Sequence, residues 1–112
     1  MKLRMLLPTL KEKKRYIVFN VQANGSVSIK SVQDSIEKAM IDLYGKLGLA
    51  KSGLMFLLSN VENYGILRVN RSTVDMAKSA MAWVETVDNK KVIIKSVKVS
   101  GILNKARKFI GG

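Results

Sequence analysis

The period of the hydrophobic pattern changes repeatedly along the chain, and that succession restricts the fold more than any other feature. In "RYIVFNVQA", about residues 15–23, the period is two: Ile17, Phe19 and Val21 share one face, and Tyr16, Val18, Asn20 and Gln22 the other. "NGS" at 24–26 is a turn. Val32, Ile36, Ala39, Met40, Leu43 and Leu47 then recur at helical spacing, which predicts a helix over about 29–44 capped by Ser28 or Ser31. Asp34 and Glu37 fall in its first turns, where the helix dipole favours anions. Gly45, Gly48 and Gly53 mark "GKLGLAKSG" as a connector. "LMFLLSNV", 54–61, is a strand apolar on both faces, and "YGILRVNRS", 64–72, is the next. A second helix begins near Ser72, with Asp75 three residues on as a capping-box-like pair and Val74, Ala77, Met81 and Val84 as its stripe. "VDNKK" turns the chain into "VIIKSVKV", 92–99. Ser100 then caps a third helix that gathers Ile102, Leu103, Ala106, Phe109 and Ile110 on one side.

The order β-α-β-β-α-β plus a final helix predicts an α+β, ferredoxin-like or RRM-like sandwich with the first and third strands central. Leu67 and Val69 then face the two helices, while Ile66, Arg68 and Asn70 face the other side, near Tyr16, Val18 and Asn20. The stripe of the last helix needs an apolar partner, and that second sheet face supplies one. An RNA platform of the RRM type stacks bases on aromatic residues of its third strand. Here Ile66 and Arg68 stand where rings are required, so stacking on the sheet is not expected. Two roles are open for Arg68: a phosphate contact, or a pair with Glu62 or with backbone carbonyls under the last helix.

Charge is unevenly distributed. The chain carries 20 Lys and Arg against 8 Asp and Glu, and most of the excess sits at its ends. Residues 1–15 hold six cations and one acid, residues 88–112 seven cations and one acid, and the stretch between is nearly balanced. Surfaces tuned for solubility alone intersperse the signs. Two basic ends on a neutral body indicate a polyanionic partner. Residues 1–15 read as a basic arm and 16–112 as one domain. The candidate RNA contacts are Lys11, Lys13, Lys14, Arg15, Arg68, Arg71, Lys90, Lys91, Lys95, Lys98, Lys105, Arg107 and Lys108. The apolar connector and edge strand offer a protein contact through Leu47, Leu49, Leu54, Phe56 and Leu58.

Chemistry by the chain itself finds no support. It has no histidine or cysteine, no metal-ligand spacing and no Gly-rich phosphate loop, and neither its serines nor its lysines sit in an activating constellation. No apolar run, Leu54 to Leu58 included, exceeds five residues, far short of a membrane span, and the expected location is cytoplasmic.

Taken together, "KKRYIVFNV", "GILRVNRSTVD" (65–75), "KKVIIKSVKVSG" (90–101) and "ILNKARKFI" (102–110) resemble the archaeal ribonuclease P protein component 2 family, homologous to a eukaryotic ribonuclease P/MRP subunit. The Gly-Ile-Leu-Arg-Val-x-Arg block is the most specific part. Asn104 departs from the pattern where a cation is expected, and the second helix carries only Lys78. The resemblance implies an accessory subunit of a ribonucleoprotein endonuclease that removes the 5′ leader from precursor tRNA. It implies RNA-based catalysis with Mg²⁺ at RNA phosphates and no cofactor on the protein. The implied partners are the catalytic domain of the ribonuclease P RNA, protein component 3, precursor tRNA indirectly, and a second copy within a heterotetramer. Another RNA-assembly protein, ribosomal or translation-associated, and a protein–protein module with solubilising basic ends are the alternatives.

Overall fold

The computed structural model describes residues 13–59 and 61–111, so most of the expected basic arm, Lys11 included, lies outside the described residues. Strand β1 (Lys14–Ala23) is the centre of the structure. It is followed by α1 (Ile29–Ser52), β2 (Met55–Leu57), β3 (Tyr64–Asn70), a 3₁₀ turn (Arg71–Thr73), α2 (Val74–Trp83), β4 (Thr86–Val87), β5 (Lys90–Ser100) and α3 (Leu103–Gly111). The sheet order is β2-β3-β1-β5-β4. Pairing is antiparallel throughout, and β1 lies between β3 and β5. This is the expected ferredoxin-like arrangement with one short strand added at an edge.

Side-chain alternation along β1 builds two cores. Ile17, Phe19 and Val21 join Leu67 and Val69 of β3 against Val32, Ile36, Ala39 and Met40 of α1 and Ala77, Ala80 and Met81 of α2. On the reverse face Val18, Ile66 and Ala106 form a smaller cluster, with Tyr16, Tyr64, Leu57, Leu103 and Ile110 packed around it. The last helix therefore covers the second sheet face, as its stripe requires. Only part of that stripe is used, because Ile102 and Phe109 remain about half exposed.

Several local details differ from the expectation or refine it. The connector after residue 44 is largely helical: α1 breaks at Gly45 (φ 76°, ψ 173°), resumes, and ends at Ser52 with Gly53 in the left-handed region (φ 64°). That break takes Leu47 out of phase with the buried stripe and leaves it 62% exposed. Strand 54–61 contracts to three residues, and Leu58 beyond it is almost fully exposed. "VDNKK" is a hairpin whose turn residues Asp88 and Asn89 both have positive φ, the conformation that suits a two-residue connection between twisted strands. Asn70, expected on the second sheet face with Ile66 and Arg68, reaches the end of α1 instead. It is fully buried, its amide donating to Lys51 O at 2.8 Å and its carbonyl accepting from Lys14 Nζ, so it ties the end of α1 to the sheet.

At the helix starts, Ser28 is the cap of α1, its Oγ accepting from Lys30 N. Asp34 lies beyond the first turn and pairs with Lys30 at 3.1 Å. A 3₁₀ turn leads into α2, and neither Asn70 nor Thr73, the residues preceding the turn and the helix, makes a side-chain cap bond.

Gly65, the one weak strand former in β3, lies opposite Phe19, and an added Cβ would come within 2.3 Å of the Phe19 ring. The glycine makes room for the largest side chain in the core. Gly65→Ala should destabilise the fold by about 1–3 kcal/mol through overpacking. Urea unfolding should show a lowered midpoint, and Phe19→Leu in the same background should recover part of the loss.

Candidate nucleic-acid interface

Antiparallel pairing of β1 with both neighbours determines where the basic segments meet. Lys14 lies opposite Asn70 and Tyr16 opposite Ser100, so the start of β1, the end of β3 and the end of β5 occupy one end of the sheet. Lys13, Lys14, Arg15 and Arg71 gather there, with the Arg71 N–H donating to Lys13 O at 2.9 Å. Arg15 Nη1 donates to Lys14 O at 3.0 Å, and its guanidinium lies over Gly101, where a Cβ would approach it to 3.4 Å. Lys13 to Arg15 and the corner between β5 and α3, remote in sequence, are thus neighbours in space.

Lys98, Lys105 and Lys108 extend this end. They line one open groove of about 560 Å³ together with Val99, Ser100, Gly101 and Phe109. The Ser100 hydroxyl accepts from Ile102 N at 3.1 Å and donates to Ile102 O, setting the corner at which β5 gives way to α3. Arg107 projects from the other flank of α3, the flank on which Gly111 approaches Val61. Lys95, opposite Asn20, is exposed farther along β5. Lys90 and Lys91 belong to the β4–β5 hairpin at the far end of the sheet, apart from the groove.

Arg68 sits at the centre of β3, directly opposite Tyr16 and beside Met55 of β2. Its Nε is buried without a hydrogen-bond partner, and no carboxylate of the described residues pairs with it. The pair with Glu62 that the sequence allowed is not formed.

Charge is segregated by layer. The strands and α3 carry ten cations and no acid, whereas α1 and α2 carry five cations and four acids. Among the described residues the Lys30–Asp34 bridge on α1 is the ion pair observed, and Arg15, Lys98, Lys105, Arg107 and Lys108 have no carboxylate partner. Gathering like charges on one side without counter-charges costs stability, and a bound polyanion offsets that cost. Of the expected protein-contact residues, Leu47 and Leu58 are exposed, as is Met55 of β2, while Leu49, Leu54 and Phe56 pack partly into the main core. No helix among the described residues is long and apolar enough to cross a membrane.

A ferredoxin-like sandwich with a cationic sheet side and an evenly charged helical layer defines a small polyanion-binding protein. The chain belongs to the Rpp14/Pop5 family, whose model matches residues 15–111. It is 36% identical over 110 residues to ribonuclease P protein component 2 of Methanocaldococcus jannaschii, covering 97% of this chain and 81% of that protein. To the Pyrococcus horikoshii protein of the same name it is 33% identical over 112 residues, covering 97% and 92%. A chain in the cryo-EM structure of yeast ribonuclease MRP shares the fold, with a TM-score of 0.63 over 88% of this chain and 86% of that one, at 13% identity.

Replacing Arg68 by methionine removes a charge whose Nε is unsatisfied and keeps the aliphatic stem that packs beside Tyr16. Arg68→Met should hold stability within about 1 kcal/mol of the parent, because no native hydrogen bond of Nε is lost. RNA affinity should fall at the same time. Denaturant unfolding and filter binding measured on one preparation check both outcomes.

Proposed function

We infer that this chain is a protein subunit of ribonuclease P, the ribonucleoprotein endonuclease that removes the 5′ leader from precursor tRNA, acting in the cytoplasm. The observation that carries the reading is the family match across residues 15–111, with relatives named ribonuclease P protein component 2. The chain is an accessory subunit and the RNA is the catalyst, with Mg²⁺ held at RNA phosphates. The absence of acids from the strands and α3 supports the contribution assigned to the protein: fixed cations at Arg15, Arg71, Lys98, Lys105, Arg107 and Lys108 replace diffusible ions between RNA helices that otherwise repel. Such contacts position the RNA and carry little sequence information, so selectivity resides in RNA shape.

The partner protein in this reading is component 3, and the exposed Leu47, Leu58 and Met55 are offered as part of its contact. None of the three lines the groove that holds Lys98, Lys105 and Lys108. A second copy of the chain within a heterotetramer is compatible with the same arrangement.

Two measurements test the proposal. With about six phosphates neutralised, affinity for the ribonuclease P RNA should fall with salt at a log–log slope of roughly −4 to −5. In reconstituted holoenzyme, Lys105→Ala, Arg107→Ala and Lys108→Ala combined should raise the Mg²⁺ concentration required for precursor cleavage. A flat salt response or an unchanged Mg²⁺ requirement overturns the phosphate-neutralising role.

A further inference from the structure

The flank of α3 that faces β5 places two kinds of group side by side. Lys105 and Lys108 of the helix and Lys98 of β5 line one groove, and Phe109 lines it with them, 51% exposed. The helix does not need that ring for packing, since Leu103, Ala106 and Ile110 already fill the second core. Nor do the lysines face counter-charges: no carboxylate of the described residues pairs with any of the three.

We propose that this groove is a subsite for an unpaired nucleotide of the bound RNA, whose base stacks on Phe109 while Lys98, Lys105 and Lys108 hold the flanking phosphates. The proposal rests on the RNA-binding reading above and names the place and the kind of nucleotide. Aromatic rings beside cations are the combination that single-stranded nucleic acid requires, because every base has a π face and every linkage a negative charge. Lysine suits such a strand, since a point charge on a flexible stem can follow a backbone that has no rigid helical geometry. Arg15, over Gly101 at the edge of the same groove, extends the positive track toward the start of β1. Charge complementarity selects this occupant over an apolar protein segment, which would bury three ammonium groups without partners. The sheet offers no alternative platform, because the strand that would stack bases presents Ile66 and Arg68, and α3 covers its face.

The test uses the full chain and a fluorescent oligouridylate. Phe109→Ala and Phe109→Leu should each weaken binding at least about fivefold, with the urea midpoint unchanged because the ring is half exposed. In a W83F/F109W double variant, saturating oligouridylate should quench the tryptophan emission, a signature that phosphate contact alone does not produce. Wild-type affinity in both Phe109 variants with no quenching overturns the nucleotide subsite. If Lys105→Ala and Lys108→Ala still weaken binding in that case, the RNA-binding reading survives without it; if they too leave affinity unchanged, both fall. Loss of a partner protein with oligouridylate binding retained in Phe109→Ala also overturns the subsite and assigns Phe109 to a protein contact.

Discussion

The double pairing of β1 is the constraint on which the rest of the molecule depends. This one strand is bonded on both edges, to β3 and to β5, and its side chains seed both cores, Ile17, Phe19 and Val21 on one face and Val18 on the other. Because both pairings are antiparallel, the beginning of β1 must lie at the ends of β3 and β5. The cationic convergence at Lys14, Arg15, Arg71 and Lys98 is a consequence of that topology and needs no attraction among like charges. Register enforces it, since a slip of one residue along β1 would send Phe19 to the second face and Val18 into the main core.

The separation of charge follows from the same architecture. A two-layer α+β fold has one layer in which helices cover the sheet and a reverse face left open. Here the reverse face is closed by a helix of only nine residues, whose narrow apolar stripe lets cations occupy both its flanks. The α1–α2 layer keeps nearly even charge and bears scattered apolar side chains, Leu47 and Trp83 among them. The structure thus presents two surfaces of different chemistry, one acid-poor and cationic, the other nearly balanced in charge.

Much of this was legible in the sequence because the underlying signals are periodic. Alternation in β1 and β3 placed Leu67 and Val69 toward the helices, and the stripe of α3 required a cover on the second face. What the sequence concealed depends on single backbone angles or on tertiary neighbours. Gly45 breaks α1 without ending it, since helical turns resume on the far side, and the resulting change of phase turns Leu47 outward. Asn70 obeys strand alternation in position, yet its amide is claimed by the end of α1, a partner 19 residues earlier in the chain. Phe109 fits the helical stripe by spacing alone. Only the small footprint of Ala106 against the sheet, with Leu103 and Ile110 on either side, shows that the stripe is complete without it.

Arg68 illustrates how such a protein divides its residues between folding and binding. A valine at that position would pack with Val18 and Ile66 and complete the second core at no electrostatic cost. The arginine instead buries its stem beside Tyr16 and leaves Nε without a partner, a sacrifice of stability at the centre of the sheet. Neither a neighbouring acid nor a backbone carbonyl rewards it, so nothing within the described fold accounts for the choice. A group preorganised in this way, its stem fixed by a rigid strand, loses little further entropy when an external phosphate arrives. That is the property expected of a subunit that contributes positioned charge to an RNA and takes no part in breaking the bond.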